Sequence, residues 1–221
     1  MTQHSQFVLS ETASVAHQFL ADLRQPEVQS DRMRFRRNLE RIGEILAYEL
    51  SKVLSYESSQ IETPLGTAQA SLLKQQPVLV SVLRAGLPLH QGVLNYFDLA
   101  DNGFVGAYRQ VDQTADSGFT IQFDYESIPD LQNRPLILID PMLASGRTLV
   151  KAVKQLKRYG NPSQVHIVSV IAAPEGITNL KNELGENFSL WLGAIDDHLN
   201  EKSYIVPGLG DAGDLAFGLK K

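Results

Sequence analysis

The chain has no cysteine. That excludes disulfide stapling, thiolate catalysis and cysteine-ligated zinc, and it fits a reducing compartment. Basic residues are outnumbered, 20 Lys and Arg against 25 Asp and Glu, giving a formal net charge of −5. The basic footprint by which proteins coat nucleic acid is therefore missing. Long apolar runs are missing as well. The longest, such as Leu136 to Ile139 and Val165 to Ala173, fall far short of the roughly 20 residues a membrane-spanning helix needs. The opening MTQHSQFVLSETAS has no basic segment followed by an apolar one, so no signal peptide is expected and the expected location is cytoplasmic. No repeat or low-complexity tract is visible. What remains is 221 residues, 43% hydrophobic and 20% charged, an ordinary globular composition. A chain of this length buries about 70% of its unfolded surface without staples, and a single domain over 1–221 is expected.

Ser10 is expected to cap a helix over ETASVAHQFLADLR, where Val15, Phe19, Leu20 and Leu23 fall at helical spacing. A second helix is predicted from Asp31 to Val53, with Phe35, Leu39, Ile42, Leu46, Leu50 and Val53 as its apolar stripe. Its first turns carry Arg32, Arg34, Arg36, Arg37 and Arg41, where cations oppose the helix dipole. A solvated face is the plain explanation; a subunit contact or an anion site is the sharper one.

After Pro64 and Gly66 the pattern changes. Short apolar strands are predicted at Val78–Leu83, GFVGAY, Leu136–Asp140, VHIVSVIAA and FSLWLGA. Helices are predicted over AGLPLHQGVLNYF, Arg147–Tyr159 and Glu175–Leu184. Strands that alternate with helices and are apolar on both faces mean an α/β fold with a mostly parallel five-stranded sheet, covered on both sides. The polar stretch Gln110 to Asp130 contains an alternating FTIQFDY piece that suggests a hairpin. The layout is an N-terminal helical arm (about 1–60), an α/β core (about 70–195) and a glycine-shaped C-terminal segment (about 203–218).

The strongest local signal is LILIDPMLASGRTLVKAVKQL. A strand ends in Asp140, a small-residue turn follows, and a helix starts near Arg147. Small residues let successive backbone N–H groups converge on an anion, and a helix N-terminus adds positive potential. Ser145 and Thr148 bring hydroxyl donors. Asp140 cannot hold a phosphate, but a carboxylate there suits sugar hydroxyls; the plain alternative is a turn in which Asp140 merely caps. Arg84 and Arg109 each follow a strand, on the same sheet edge as Asp140. Either alone is an ordinary salt-bridge partner, while the two together point to a polyanionic ligand. In the tail, Gly208, Gly210 and Gly213 match G-x-G-x-x-G, but only eight residues follow Gly213, too few for a dinucleotide-binding unit. PGLGDAGD is instead a loop whose backbone can approach a flat ligand, with Tyr204, Ile205 and Val206 leading into it. No Walker A loop or nucleophile elbow occurs. The histidines show no metal-ligand spacing, and His90 in LPLHQG is read as a helix residue rather than a base.

The segments VLRAGLPLHQG, GAYRQ, IDPMLASGRTL, AAPEGI and SYIVPGLGDAGD, in that order, resemble the uracil phosphoribosyltransferase family. The resemblance runs from RMRFRRNLERIGEILAYEL to the C-terminus. It implies the type I phosphoribosyltransferase fold, with a small hood built from the hairpin and the tail. It also implies the reaction of uracil with phosphoribosyl pyrophosphate (PRPP) to give UMP and diphosphate, with Mg²⁺ carried mainly by PRPP and diphosphate. By that resemblance Asp140, Pro141, Met142, Leu143, Ala144, Ser145, Gly146, Arg147 and Thr148 hold the 5-phosphate and ribose. Arg84 and Arg109 hold the diphosphate. Ile205 and the backbone of Gly210, Asp211 and Ala212 read uracil. Asp140, Asp211 and Arg109 are the catalytic candidates, with Asp211 facing the Mg²⁺–diphosphate side or helping to remove the base proton.

A homo-oligomer, dimer or tetramer, is implied, and GTP is a candidate effector. The sequence departs from the common pattern at Arg147-Thr148, at Gln110-Val111 and at Leu215, which bears on affinity and effector response more than on the reaction. The rival readings are a phosphoribosyltransferase for another base and a non-catalytic relative that binds nucleotide or RNA.

Overall fold

The computed structural model describes the backbone of residues 6–111 and 119–220, and their side chains except those of 107–111 and 119–121. In chain order the elements are β1 (Gln6–Val8), α1 (Ala16–Arg24), α2 (Pro26–Gln29), α3 (Arg32–Ser51), β2 (Tyr56–Thr63), β3 (Gly66–Leu73), β4 (Val78–Leu83), α4 (Leu87–Leu94), β5 (Asp101–Val111) and β6 (Phe119–Ser127). There follow β7 (Pro135–Ile139), β8 (Met142–Leu143), α5 (Arg147–Leu156), β9 (Gln164–Ala172), α6 (Pro174–Leu184), β10 (Ser189–Ile195), β11 (His198–Leu199), β12 (Ile205–Val206) and α7 (Ala212–Phe217).

The five predicted strands are the centre of the main sheet, whose order is β1-β10-β9-β7-β4-β5-β6. Neighbours pair in parallel from β1 to β5, and only β6 is antiparallel, as the hairpin partner of β5. Alternation along each strand splits the core in two. Leu79, Ile137, Ile139, Val168 and Val170 face α1, α3 and α4. Val78, Val80, Leu136, Leu138 and Ile167 face α5 and α6. The helical arm is thus one of the two layers that cover the sheet.

Three local expectations change. Ser10 does not cap α1: it sits in a 3-10 turn, Leu9–Glu11, and α1 begins only after Val15. The residues before that turn pair with β10 as a sixth parallel strand, and sheet pairing outcompetes the hydroxyl cap. The stretch 56–73, given no element by pattern, is an antiparallel hairpin, β2–β3, almost wholly exposed. Its large apolar residues, Tyr56, Ile61, Leu72 and Leu73, are scattered among polar ones, so periodicity had little to register. The helix predicted from Asp31 does start there, because the Asp31 carboxylate accepts from the amides of Met33 and Arg34 at 3.0 and 3.1 Å. It ends at Ser51, two residues before Val53. No helix of the described residues is long and apolar enough to cross a membrane.

The arginines of α3 are largely occupied within the chain. Arg34 pairs with the buried Asp22 at 2.9 Å, and Arg36 donates to the carbonyl of Ala216 at 2.7 Å. Arg37 pairs with Glu40 at 2.7 Å, and Arg41 donates to Asn38 at 3.0 Å. The stripe lashes the arm to itself and to the C-terminal helix.

Candidate active site

The chain leaves β4 towards β5 on one side and later returns as β7 on the other. Where connections diverge in a parallel sheet, a crevice opens at the strand C-termini. A cleft of about 490 Å³ lies there, within the roughly 300–1,000 Å³ typical of small-molecule sites. It is lined by residues that follow β4 (Arg84, Ala85), residues that follow β7 (Asp140, Met142, Ala144, Ser145, Gly146, Thr148) and the tail (Tyr204, Gly210, Asp211, Ala212, Gly213).

The turn after β7 is built to hold its backbone still. The carbonyl of Pro141 accepts from Val170 and Ile171 at 3.0 and 3.1 Å, and that of Leu143 accepts from Ala173 at 2.9 Å. Pro141 and Leu143 are therefore buried against β9 and do not line the cleft, while the residues between them and α5 do. Gly146, at φ +74, turns the chain into α5; a Cβ there would lie 2.7 Å from the carbonyl oxygen of Gly176. Asn179 donates to the carbonyl of Ser145 at 2.9 Å, so α6 supports the loop from below. Arg147 is exposed and outside the cleft lining. Burial pushes the Asp140 carboxyl up to about 7, against the opposing hydrogen bond from the Met142 amide at 3.2 Å.

Arg84 enters the cleft already oriented by the tail. Its Nη2 donates to Asp214 at 2.8 Å and to the carbonyl of Gly218 at 2.6 Å. Its Nε is buried without a partner, a donor left for a ligand oxygen. The Leu83–Arg84 peptide is cis. Asp211 caps α7, with its Oδ1 accepting from the Asp214 amide at 2.9 Å. Ile205 is buried behind the wall that Tyr204 presents. The side chains of Arg109, Gln110 and Val111 lie outside the described residues; the backbone of Arg109 pairs with Ile121 in the β5–β6 hairpin.

A cleft with a phosphate-type loop on one wall and a backbone-rich turn on the other suits a phosphosugar and a flat base. The comparisons with known proteins agree. The family model described as uracil phosphoribosyltransferase matches residues 10–219. The chain belongs to the uracil phosphoribosyltransferase family. A uracil phosphoribosyltransferase from Porphyromonas gingivalis is 45% identical over 207 residues, covering 94% of this chain and 95% of the relative. One from Pyrococcus furiosus is 37% identical over 204 residues, covering 91% and 85%. A solved structure of a protein from Aquifex aeolicus superposes with a TM-score of 0.85 at 29% identity, covering 96% of this chain and 99% of that one. As a member of the uracil phosphoribosyltransferase family the chain is a transferase, forming UMP and diphosphate from uracil and PRPP.

Sequence reasoning had no means of finding part of this uracil phosphoribosyltransferase site. Lys202 and Lys220 line the cleft, yet a lysine among loop or terminal residues carries no pattern. His90, buried against Phe104 with ring centroids 5.2 Å apart, does not line it; burial lowers its pKa and keeps the ring neutral.

Proposed function

We propose that the transfer runs in this cleft with the parts divided by wall. The α5 N-terminus, the Ala144–Gly146 backbone and the hydroxyls of Ser145 and Thr148 bind the 5-phosphate of PRPP. Asp140 faces the ribose hydroxyls. Arg84 and Arg109 bind the diphosphate, Arg84 through donors not spent on Asp214 and Gly218. The backbone of Gly210, Asp211 and Ala212, with Ile205 behind it, reads the uracil edge, and Tyr204 walls the base.

The observation that supports this division is that Arg84, Asp140, Ala144–Gly146, Thr148 and residues 210–213, far apart in sequence, line one cleft. Departure of diphosphate leaves an oxocarbenium-like ribose, and no enzyme nucleophile is needed. Catalysis is then alignment of the base behind the anomeric carbon plus electrostatic stabilisation of separating charges. A half-buried carboxyl such as Asp140 ionises more readily as positive charge develops beside it. Backbone donors and acceptors set for uracil leave cytosine mismatched and unpaired.

Among the described residues no group of three or more His, Cys, Asp or Glu is placed to hold a metal ion, while Asp140 and Asp211 both line the cleft. That donor set fits Mg²⁺ bound chiefly through substrate oxygens and water, with Asp211 on its side of the cleft. When bound, the ion neutralises the diphosphate leaving group. We read 1–221 as one catalytic domain, working in the cytoplasm as a homo-oligomer, with GTP a candidate effector. Light scattering is expected to give a multiple of 24.5 kDa; a single-chain mass at micromolar concentration would contradict the oligomer.

The direct test is UMP formation from PRPP and Mg²⁺ with uracil, cytosine, orotate and hypoxanthine in parallel. Turnover with uracil alone is expected. Equal turnover with another base would remove the specificity assigned to the tail.

A further inference from the structure

Arg24 ends α1 and Asp196 follows β10, 172 residues apart in sequence. They meet as a forked ion pair, Nη1 to Oδ2 at 2.8 Å and Nη2 to Oδ1 at 2.6 Å. The Asp196 side chain is only 3% exposed. The pair has a third member, the backbone of Gly208. The Gly208 amide donates to Asp196 Oδ2 at 2.8 Å, and its carbonyl accepts from Arg24 Nη1 at 3.0 Å. One residue of the tail is therefore gripped through both of its backbone groups by side chains from two other elements.

Gly208 itself has little freedom to move away. Its φ is +64, and a Cβ would lie 2.1 Å from the carbonyl oxygen of Ile205. Leu209, the next residue, is buried in the core shared with α1 and α3. The backbone of Gly210 to Gly213 then lines the cleft. The grip thus lies two residues from the wall that meets a base, and its own side chains do not line the cleft.

A buried ion pair contributes little net stability, because desolvation offsets the attraction. Its forked geometry fixes direction instead. A loop that reads a base through backbone groups needs its backbone fixed, since hydrogen bonds weaken steeply with distance and angle.

We propose that Arg24 and Asp196 are positioning residues for base recognition, locking the Gly208 peptide and thereby setting where the Gly210–Ala212 backbone meets the base. The proposal rests on the reading of the tail as the base site given above. It makes α1, in the N-terminal arm, part of the specificity device. The 5-phosphate and ribose of PRPP are held by the separate loop after β7, so that part of its binding is insulated from the grip.

The test compares Arg24→Ala, Arg24→Lys and Asp196→Asn with wild type in KM for uracil, in the uracil-to-cytosine ratio of kcat/KM, and in the melting shift caused by PRPP with Mg²⁺ alone. Uracil KM is expected to rise roughly tenfold in Arg24→Ala and Asp196→Asn, as for a small misplacement of a substrate-contacting group. The ratio is expected to fall, the PRPP-induced shift to stay, and Arg24→Lys to recover part of the loss. An unchanged uracil KM overturns the proposal. So does a parallel loss of PRPP response and melting temperature, which marks a merely structural pair. Gly210→Ala separates the two layers: if it raises uracil KM while the Arg24 variants do not, the positioning role alone fails. If it leaves uracil KM unchanged, the base site is elsewhere and the proposal falls with it.

Discussion

Asp140 carries two opposed demands. Its carboxyl is pushed up to about 7 by burial, well above the ordinary carboxylate range. The folded protein therefore binds that proton more tightly than the unfolded chain does. Between about pH 4 and pH 7 folding takes up a proton, so this group's contribution to stability falls as pH rises. Asparagine never ionises. Asp140→Asn is thus expected to raise the melting temperature of the ligand-free protein at about pH 8 and to change it little at about pH 4, while lowering kcat at least about tenfold. Melting curves at the two pH values check the first part; an equal gain at both would disprove the burial argument. Asp211 separates two roles differently. Asparagine caps a helix about as well as aspartate, so Asp211→Asn is expected to keep the melting temperature while kcat falls at least about tenfold. Wild-type turnover in that variant would leave Asp211 a cap and nothing more.

At the scale of elements, the turn after β7, proposed to hold the phosphate, depends on α6. A Cβ on Gly176 would lie 2.1 Å from the carbonyl oxygen of Ala144, and backbone cannot yield as a flexible side chain does. Gly176→Ala must push the loop or tilt the helix, an overpacking that costs about 1–3 kcal/mol. The expected result is a PRPP KM raised by roughly tenfold or more, with uracil KM changed much less; steady-state kinetics with each substrate varied in turn checks it. The C-terminal helix is held from two sides, by Arg36 on the carbonyl of Ala216 and by Arg84 on Asp214 and the carbonyl of Gly218. Arg84 therefore ties the end of β4 to the tail, and anything that moves α7 reorients a cation on the opposite wall of the cleft.

At the scale of the molecule, both hydrophobic cores use the same strands, one on each face. Neither can open without exposing the other's sheet, so unfolding is expected as one calorimetric transition. On the proposed reading, PRPP with Mg²⁺ binds only the assembled cleft. At ligand about 100 times its Kd it is expected to add about 2.7 kcal/mol of stability, a rise of roughly 5–11 °C for a chain of this size. Thermal denaturation with and without PRPP checks both; two separated transitions would show that arm and sheet unfold independently. The hairpin β2–β3 reaches the first core through Leu73 at its base, with Leu65 at its tip fully exposed, and paired strands of this kind are marginal alone.

Much of this was legible in the residues themselves. The five central strands, the helices between them and the Asp140–Thr148 turn follow from short-range patterns: apolar runs, small residues, and a charged residue after three of the strands. The edge strand β1, the β2–β3 hairpin and the true start of α1 did not, because a three-residue strand shows no periodicity and pairs with a remote partner, and the hairpin's large apolar residues are scattered among polar ones. Residues such as Lys202 and Lys220 carried no signal, because each acts only by where the tail comes to rest. The chain's residues alone set out the chemistry it can offer: a small-residue turn suited to an anion, arginines at strand ends, and a glycine loop whose backbone a flat ligand can approach. It took the folded sheet to bring Arg84, the turn after β7 and the glycine loop into one cleft, to turn Pro141 and Leu143 inward, and to close Arg24 and Asp196 on Gly208. Those relations join residues up to 184 positions apart, and hydrogen bonds between such residues exist only after the sheet has brought its edges together.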